Sequence, residues 1–353
     1  MSASEVPPLQ RAIRQLAAGE SLTEAESHAA FDTVMSGEAT AAQVAALLVG
    51  LRVKGETAAE VAGAANALRG AMVRLPAESP ESLVDTCGTG GGAVGTFNIS
   101  TAAALLAAGL GVRIAKHGNR SFTSQCGSAD VLEALGVRID VEVATMEAAL
   151  RDAGIVFMFA PLMHPAMRHV GPVRRELAIP TVMNIVGPLA NPAGAGRQVV
   201  GVADTRRVPL IAGALEALGT VHALVVHGEP GMDEVSPLGT THVVEIRAGT
   251  ITEWTIDPAQ LGFAAGRAEE LAGGPPAENA AAVLSVLRGD APVTAQSAVI
   301  LNAAAALYVA PNGPRTFADA VDAARAGLAT GAGLAGLDAL RRAYAAPAPH
   351  AHG

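Results

Sequence analysis

The feature that most constrains the fold is a change of pattern at Pro76. From there on, short apolar runs alternate with helical segments: LVDTC precedes STAAALLAAG, and QVVGVAD precedes VPLIAGALEALG. Such alternation is typical of a mostly parallel sheet with helices on both faces. The segment THVVEIRAGTITEWTI has a period near two with a Gly-Thr break, which predicts an antiparallel hairpin attached to that sheet. The sequence therefore predicts an α/β fold after Pro76.

The first 72 residues have a purely helical pattern. A first helix is predicted over Pro8–Ala18, and three capping boxes predict further helix starts, at Ser21–Glu24, Thr40–Gln43 and Thr57–Glu60. The segment Thr40–Leu51 is apolar on most faces, so its helix needs partners on more than one side. Both a partner within the same lobe and a dimer interface satisfy this need, and we favour a dimer interface.

Composition narrows the class of protein. The 353 residues are enough for two domains, and 50% hydrophobic residues supply a core. A net charge of −9 argues against broad nucleic-acid binding. Two cysteines, no signal-peptide pattern and a longest apolar stretch of only Ser100–Val112 predict a soluble cytoplasmic protein without a membrane span.

A glycine-rich loop, DTCGTGGGAVGTFNIST, joins a predicted strand to a helix. Its glycines leave backbone amides free to close on a phosphate at the helix start: Gly88, Gly90, Gly91, Gly92 and Gly95. Hydroxyl and amide side chains add further groups: Thr89, Thr96, Asn98, Ser100 and Thr101. A dinucleotide site is disfavoured, because Lys116 and His117 stand where that motif needs an acidic residue. The Walker A pattern is absent too.

A second loop follows the next strand, in IAKHGNRSFTSQCGSADVLEALG. Lys116 is predicted at the carboxyl end of that strand, and KHGNR is predicted as a loop. The loop is rich in hydrogen-bond donors: Asn119, Ser121, Thr123, Ser124 and Ser128. Gly127 or Ser128 is expected to start the next helix, whose free amides favour an anion. Taken alone this is equally well a solvated loop, but two such loops predict a ligand with phosphates at two places.

An acidic pair, Asp233 and Glu234, follows the strand HALVVHG on what we expect to be an exposed loop. An isolated Asp-Glu pair is usually an acidic surface turn. Close to two phosphate loops it suits Mg²⁺, which takes one or two carboxylates together with phosphate oxygens.

The most basic stretch runs from His164 to Arg175. Its arginines suit a bidentate grip on a carboxylate, or they form a solvated helix surface. His117 and His164 are candidates for proton transfer, although a lone histidine is more often simply hydrogen-bonded. The Gly/Pro-rich segment Asn184–Gly194 is a candidate hinge between two lobes.

Four segments carry a resemblance to a known family: DTCGTGGGAVGTFNIST, KHGNRSFTSQCGSADVLEALG, HPAMRHVGPVRRELAIPTVMNIVGPLANP and GMDEVS. In order and spacing the chain resembles the anthranilate phosphoribosyltransferases over nearly its whole length. The resemblance implies the fold of class II nucleoside phosphorylases and phosphoribosyltransferases, with a small all-helical domain and a large α/β domain. It implies a small domain of residues 1–75 with 163–187, a large domain of residues 76–162 and 188–346, and a homodimer joined through the small domains. Residues 347–353 are expected to be a frayed tail.

The resemblance also implies an activity. The family transfers phosphoribose from 5-phosphoribosyl 1-diphosphate to the amine of anthranilate, the second step from chorismate to tryptophan, with Mg²⁺. By matching position, the sugar-diphosphate residues are Gly88, Thr89, Gly91, Gly92, Thr96, Asn98, Ile99, Ser100, Thr101, Lys116, Ser124 and Ser128. The anthranilate contacts are Gly88, His117, Asn119 and Arg174, and the metal ligands are Ser100, Asp233 and Glu234. Since the aromatic amine is neutral at pH 7 and already nucleophilic, we expect no covalent nucleophile and no obligatory base.

The chain departs from the family pattern at three positions. Gly92 stands where Asp is usual, Pro180 where Arg is frequent and Met183 where Phe is frequent. Two rival functions are a pyrimidine nucleoside phosphorylase, which would not need the acidic pair, and a catalytically silent nucleic-acid-binding paralogue. The net charge of −9 argues against the second.

Overall fold

The computed structural model describes residues 6–121 and 125–345. The fifteen α-helices of this part of the chain are α1 (Pro8–Ala17), α2 (Glu24–Met35), α3 (Ala41–Lys54), α4 (Ala58–Gly70), α5 (Ile99–Gly109), α6 (Ser128–Ala134), α7 (Val143–Asp152), α8 (Ala160–Met163), α9 (Gly171–Leu177), α10 (Met183–Val186), α11 (Val208–Ala217), α12 (Pro276–Arg288), α13 (Val293–Val309), α14 (Phe317–Ala329) and α15 (Ala332–Ala345). The seven strands are β1 (Val84–Gly88), β2 (Ile114–Gly118), β3 (Ile155–Phe159), β4 (Arg197–Gly201), β5 (His222–Gly228), β6 (Thr241–Arg247) and β7 (Thr250–Ile256).

The chain divides into two compact units. One, the helical unit, contains Met1–Arg74, Pro161–Pro192 and Pro209–Gly219. The other, the α/β unit, contains Leu75–Ala160, Ala193–Val208 and Thr220–Gly353. A small helical domain together with a larger α/β domain is the predicted fold class, and the structure has both. The predicted frayed tail, residues 347–353, lies outside the described residues.

Capping boxes start three helices of the helical unit, as the sequence predicts, but the first lies two residues later than expected. Thr23 and Glu26 cap α2, whereas the predicted pair began at Ser21. The backbone N–H of Leu22 donates to the buried carboxylate of Glu60 at 2.8 Å. That bond holds the chain outside the helix until Thr23. The predicted boxes at Thr40 and Thr57 are confirmed.

The apolar faces of α3 pack inside the helical unit. Val44, Leu47, Leu48 and Leu51 are at most 2% exposed, and α3 contacts both α1 and α9. Packing within the lobe therefore accounts for these residues without a second subunit. Val53, near the end of the same helix, is 80% exposed.

The sheet of the α/β unit has the strand order β3-β2-β1-β4-β5-β6-β7. The first five of these strands run parallel, and β6 and β7 add antiparallel at one edge, which confirms the predicted hairpin. Gly88, the last residue of β1, pairs with Gly201, the last residue of β4. The strand order reverses direction between β1 and β4, and ligands of open α/β sheets gather at the carboxyl ends of the strands beside such a point.

Two further segments differ from the sequence-based expectation. Lys116, His117 and Gly118 continue β2 rather than forming a loop, because each pairs with a residue of β3. The segment Asn184–Gly194, the candidate hinge, begins within α10, continues in a short 3₁₀ turn, and contains the boundary between the two units after Pro192. The guanidinium of Arg69 donates to the carbonyl oxygen of Leu189 at 2.8 Å, so the part of this segment up to Pro192 is anchored within the helical unit.

Within residues 6–121 and 125–345, no single helix is both long enough and apolar enough to cross a membrane. Helices α12 and α13 pass that test of length and composition only as a pair, with a bend of 78° between them.

Candidate active site

The glycine loop connects the end of β1 to the start of α5. Gly90 and Gly91 have positive φ angles of 70° and 79°, which L side chains rarely adopt, so the loop requires glycine at both positions. The backbone N–H of Thr89 donates to the carbonyl oxygen of Gly201 at 2.9 Å, which fixes the loop to β4. One continuous segment therefore holds nine of the predicted sugar-diphosphate residues: Gly88, Thr89, Gly91, Gly92, Thr96, Asn98, Ile99, Ser100 and Thr101.

The start of α5 has groups free for an anion. Asn98 occupies the N-cap position, yet its side chain makes no capping hydrogen bond. The hydroxyl of Thr101 is buried and has no hydrogen-bond partner among the residues the structure describes. The side chain of Ile99 is fully buried, so only its backbone can reach a ligand. The N–H of Ile99 is engaged, since it donates to the carbonyl oxygen of Phe97 at 2.7 Å. A helix start without a side-chain cap, beside a buried hydroxyl that lacks a partner, still favours a bound phosphate.

Lys116 places a buried ammonium group beneath this loop. Its Nζ donates to the carbonyl oxygen of Thr86 at 2.6 Å and lies 3.4 Å from the Oγ of Ser100. Burial lowers the pKa of Lys116, while the nearby carboxylates of Asp85 and Glu234 act in the opposite direction. A cation beside Ser100 adds to the attraction of this region for a diphosphate.

The acidic pair lies in the turn after β5, and it is packed rather than exposed, so the expected exposed loop is wrong. The Oδ2 of Asp233 accepts a hydrogen bond from the N–H of Gly90 at 2.8 Å. Burial and the neighbouring Asp233 carboxylate raise the pKa of Glu234 to about 8. Burial also raises the pKa of Asp233. Two partly desolvated carboxylates of like charge are stabilised by a cation.

Glycines at three adjacent strand ends allow the acidic turn to lie this close. A Cβ added to Gly201 would lie 1.7 Å from the carbonyl oxygen of Asp233, and one added to Gly88 would lie 2.6 Å from the Oδ2 of Asp233. A Cβ added to Gly228 would lie 2.5 Å from the carbonyl oxygen of Glu234. No motif in the sequence singles out Gly201 or Gly228. Their only signal in the sequence is a glycine at the end of a predicted strand, in QVVGVAD and HALVVHG.

Asn302 of α13 fixes the backbone just beyond the acidic pair. Its Oδ1 accepts from the N–H of Val235 at 2.9 Å, and its Nδ2 donates to the carbonyl oxygen of Val235 at 2.9 Å. Ser100, Glu234 and Asn302 also line one small cavity. No motif in the sequence points to this helix residue, which lies 67 positions beyond Val235.

The second loop lies beside the first, at the end of β2. Ser128 begins α6 with Gly127 at its N-cap, as predicted. The Oγ of Ser128 donates to the carbonyl oxygen of Asn119 at 3.3 Å, and the N–H of His117 donates to Asp85 at 3.3 Å. Ser124 and Thr123 lie outside the described residues. The structure thus brings His117, Asn119 and Ser128 to the strand edge that carries the glycine loop.

Arg174 and His164 belong to the helical unit. Arg174 is half-buried in α9, burial lowers its pKa, and it forms no ion pair with any carboxylate in the described ranges. Burial lowers the pKa of His164 to about 4, which leaves a neutral imidazole at pH 7. His164 is therefore unsuited to act as an acid near neutral pH.

Comparison with known proteins decides the family. Residues 80–334 match the family model described as the a/b domain of the glycosyl transferase family, and residues 10–72 match its helical bundle domain. A relative from Rubrobacter xylanophilus, named anthranilate phosphoribosyltransferase, is 48% identical over 330 residues, covering 94% of this chain and 96% of the relative. The chain belongs to the anthranilate phosphoribosyltransferase family.

Solved structures agree with this assignment. The anthranilate phosphoribosyltransferase of Thermus thermophilus superposes with a TM-score of 0.90 at 40% identity, covering 97% of this chain and all of that one. The enzyme of Saccharomyces cerevisiae, solved in complex with PRPP and Mg, superposes with a TM-score of 0.86 at 27% identity, covering 95% and 97% of the two chains. The fold predicted from the family resemblance is therefore confirmed.

Gly92, where the family resemblance leads us to expect Asp, lies beside the acidic turn. An added Cβ there would lie 3.1 Å from the Oδ1 of Asp233 and 3.3 Å from the carbonyl oxygen of Gly231. In this chain the carboxylate of Asp233 therefore fills the space in which a longer side chain at position 92 would begin.

Proposed function

We propose that this member of the anthranilate phosphoribosyltransferase family transfers the phosphoribosyl group of 5-phosphoribosyl 1-diphosphate to the amine of anthranilate. The products are N-(5-phosphoribosyl)anthranilate and diphosphate, and the reaction is the second step of tryptophan biosynthesis from chorismate. The observation that carries the proposal is the 48% identity with a named enzyme over 94% of the chain. The geometry at the ends of β1, β2, β4 and β5 supports it, because amides, hydroxyls, an ammonium and two carboxylates converge there.

The sugar diphosphate binds to the α/β unit in this proposal. The glycine loop and the start of α5 supply backbone amides, and Thr96, Ser100, Thr101 and Lys116 supply side chains. Ser128, at the start of α6, meets the second phosphate. The orphaned hydroxyl of Thr101 supports this assignment, because a buried hydroxyl without a partner is costly unless a ligand satisfies it.

Magnesium fits the donor set of the acidic turn. Asp233 and Glu234 are hard oxygen ligands whose pKa values are raised by burial, and Ser100 adds a hydroxyl close to Glu234. When bound, Mg²⁺ stabilises the negative charge that grows on the departing diphosphate. These three residues are the proposed ligands. The described ranges contain no cluster of three or more His, Cys, Asp or Glu residues suited to a metal ion, so the remaining ligands are expected to be phosphate and water oxygens.

Anthranilate has an aromatic amine that is uncharged at pH 7, with a negatively charged carboxylate beside the nitrogen. We assign its contacts to Gly88, His117, Asn119 and Arg174. The guanidinium of Arg174, which has no carboxylate partner in the described ranges, suits a bidentate grip on the substrate carboxylate. The amine nitrogen attacks the sugar carbon as the bond to the diphosphate breaks, and once the new bond has formed the nitrogen releases one of its two protons to water. Since the amine is already nucleophilic, orientation and charge stabilisation supply the acceleration.

The test is the loss of anthranilate fluorescence on mixing the purified protein with 5-phosphoribosyl 1-diphosphate and Mg²⁺. We expect turnover that requires all three components and stops on addition of a chelator. Two further assays test the rival functions. Inorganic phosphate with a pyrimidine nucleoside tests the nucleoside phosphorylase activity, and labelled DNA at low salt tests nucleic-acid binding. Turnover of the nucleoside, or DNA binding without anthranilate turnover, contradicts the proposal.

We also propose a homodimer joined through the helical unit and a cytoplasmic location. Four exposed large apolar side chains of the helical unit support the dimer: Val53, Val73, Leu162 and Ile179. The free cysteines Cys87 and Cys126 support a reducing compartment. Sedimentation of the wild type and of Val53→Lys tests the dimer, because a charge in a buried apolar contact weakens association.

A further inference from the structure

Asn279 is a buried amide that neither the sequence motifs nor the proposed function uses. It lies near the start of α12 and is 3% exposed. A side chain with two donors and an acceptor, held away from water, needs partners for its hydrogen bonds. One of those partners, Asn98, belongs to the predicted sugar-diphosphate site.

The partners form a directed chain of hydrogen bonds. The N–H of Gly274 donates to the Oδ1 of Asn279 at 2.7 Å, and the Nδ2 of Asn279 donates to the Oδ1 of Asn98 at 2.9 Å. The Nδ2 of Asn98 then donates to the carbonyl oxygen of Cys126 at 3.2 Å. One amide relay therefore joins α12, the end of the glycine loop and the second loop.

Asn279 also anchors a strap, which we define as Leu271–Gly274. The N–H of Phe97 donates to the carbonyl oxygen of Leu271 at 2.9 Å. An added Cβ on Gly273 would lie 2.4 Å from the carbonyl oxygen of Thr96, so the strap lies directly against the glycine loop. The bond from Gly274 to Asn279 fixes the end of this strap.

The relay has a consequence for α5. Asn98 occupies the N-cap position, where an asparagine side chain ordinarily accepts from the first free amides of the helix. Held by Asn279 and Cys126, it makes no such bond. Within the first turn the N–H of Ile99 donates to Phe97 and that of Ser100 to the Glu234 carboxylate. Without an Asn98 cap, the N–H of Thr101 stays available for a phosphate, and the side-chain amide of Asn98 keeps one orientation.

We propose that Asn279 is a positioning residue of the sugar-diphosphate site: through Asn98 it prevents self-capping of α5 and sets the two phosphate loops in register. The inference rests on the proposed function only for the identity of the ligand. It identifies no new contact with substrate, since Asn279 acts through Asn98.

Asn279→Asp is the sharpest test, because it keeps shape and size and removes the donor. In this variant a carboxylate oxygen would replace the Nδ2 of Asn279 and face the Oδ1 of Asn98, which cannot donate a hydrogen bond. If the side-chain amide of Asn98 rotates by half a turn to offer its Nδ2 instead, its Oδ1 then faces the carbonyl oxygen of Cys126. One link breaks in either orientation. We expect the KM for 5-phosphoribosyl 1-diphosphate to rise about tenfold or more, the scale of one buried hydrogen bond, with the KM for anthranilate changed less than about twofold.

A readout independent of turnover is the titration of inorganic diphosphate with Mg²⁺ into each variant by calorimetry. Its Kd is expected to rise in parallel with that KM. If the wild type binds diphosphate but does not consume anthranilate, the proposed function fails, and the calorimetry still decides the role of Asn279.

Val283→Ala is the matched control, because Val283 lies one turn further along the same buried face of α12. It should lower the Tm without changing either KM. A double-mutant cycle completes the test: if Asn279 acts through Asn98, then Asn98→Ala combined with Asn279→Ala binds diphosphate no more weakly than Asn98→Ala alone. Additive losses, equal changes in both KM values, or a change in Tm alone would overturn the proposal.

Discussion

Gly201→Ala tests whether catalysis depends on the close packing of the acidic turn, Asp233 and Glu234, against the end of β4. The added methyl group would lie 1.7 Å from the carbonyl oxygen of Asp233, where ordinary contact begins at 3.4 Å. The atom in the way belongs to the backbone and cannot rotate aside, so the whole acidic turn must move away from β4 by roughly the difference between these two distances. Displacements of about 1 Å near reacting atoms cost roughly 100-fold in rate. We therefore expect kcat to fall by about 100-fold or more, with a raised requirement for Mg²⁺.

A graded series separates displacement from general destabilisation. At Gly88 the methyl group would meet the Asp233 Oδ2 at 2.6 Å, and at Gly92 it would meet the Oδ1 at 3.1 Å. Gly88→Ala forces the carboxylate to rotate away from Gly90, which costs about one hydrogen bond, or roughly tenfold. Gly92→Ala needs a shift of a few tenths of an ångström and should cost less than about threefold. The effects should rank Gly201, Gly88, Gly92.

The assay is anthranilate fluorescence with Mg²⁺ varied, together with Tm for every variant. Gly70→Ala is the control, because nothing lies within 4 Å of its added methyl group and it ends a helix of the other unit. It should leave kcat unchanged. If Gly201→Ala does not fold, the ranking of Gly88 and Gly92 still tests the reasoning. A folded Gly201→Ala with kcat within about threefold of wild type, or a reversed ranking, would refute it.

Three further predictions concern charged groups. Arg174→Ala should raise the KM for anthranilate by roughly 10- to 150-fold, the scale of a hydrogen bond to a charged group, and leave the KM for 5-phosphoribosyl 1-diphosphate nearly unchanged. Steady-state assays with each substrate varied in turn check this. A raised KM for 5-phosphoribosyl 1-diphosphate alone would contradict the assignment of Arg174 to the anthranilate site. Asp233→Asn combined with Glu234→Gln should lower kcat by about 100-fold or more while the Tm changes little or rises, because the two variants remove like charges that burial disfavours; activity unchanged at limiting Mg²⁺ would exclude the metal role. Burial raises the pKa of Glu245, but hydrogen bonds from His222 at 2.8 Å and Trp254 at 2.8 Å outweigh it and leave the pKa below its ordinary value. A carboxylate whose pKa is lower in the folded state than in the unfolded state stabilises the fold at pH values above the unfolded pKa, and this stabilisation is lost as the pH falls through the folded pKa. The Tm difference between wild type and Glu245→Gln should therefore shrink below about pH 4.5. A Tm difference that stays constant down to about pH 3 would contradict this.

The alternation of strands and helices could be predicted from the sequence because it depends on the local spacing of apolar residues. Each strand and helix buries one face, so the pattern of apolar residues predicts the element type without knowledge of its neighbours. The glycine loop was readable for a similar reason. Glycines between a strand and a helix predict an anion site from local backbone chemistry alone, and the residues from Gly88 to Thr101 lie together because they are adjacent in the chain.

The sequence alone determined the fold class, the helical start, the two phosphate loops and the acidic pair as a candidate for Mg²⁺. Only the tertiary structure decided that the pair is packed against Gly88, Gly201 and Gly228, and that Asn279 joins the loops. Gly90 and Asp233 are 143 residues apart in the chain, and Asn98 and Asn279 are 181 apart. Contacts across such separations are fixed by the order of strands in the sheet and the packing of helices on it, neither of which leaves a periodic trace in the chain.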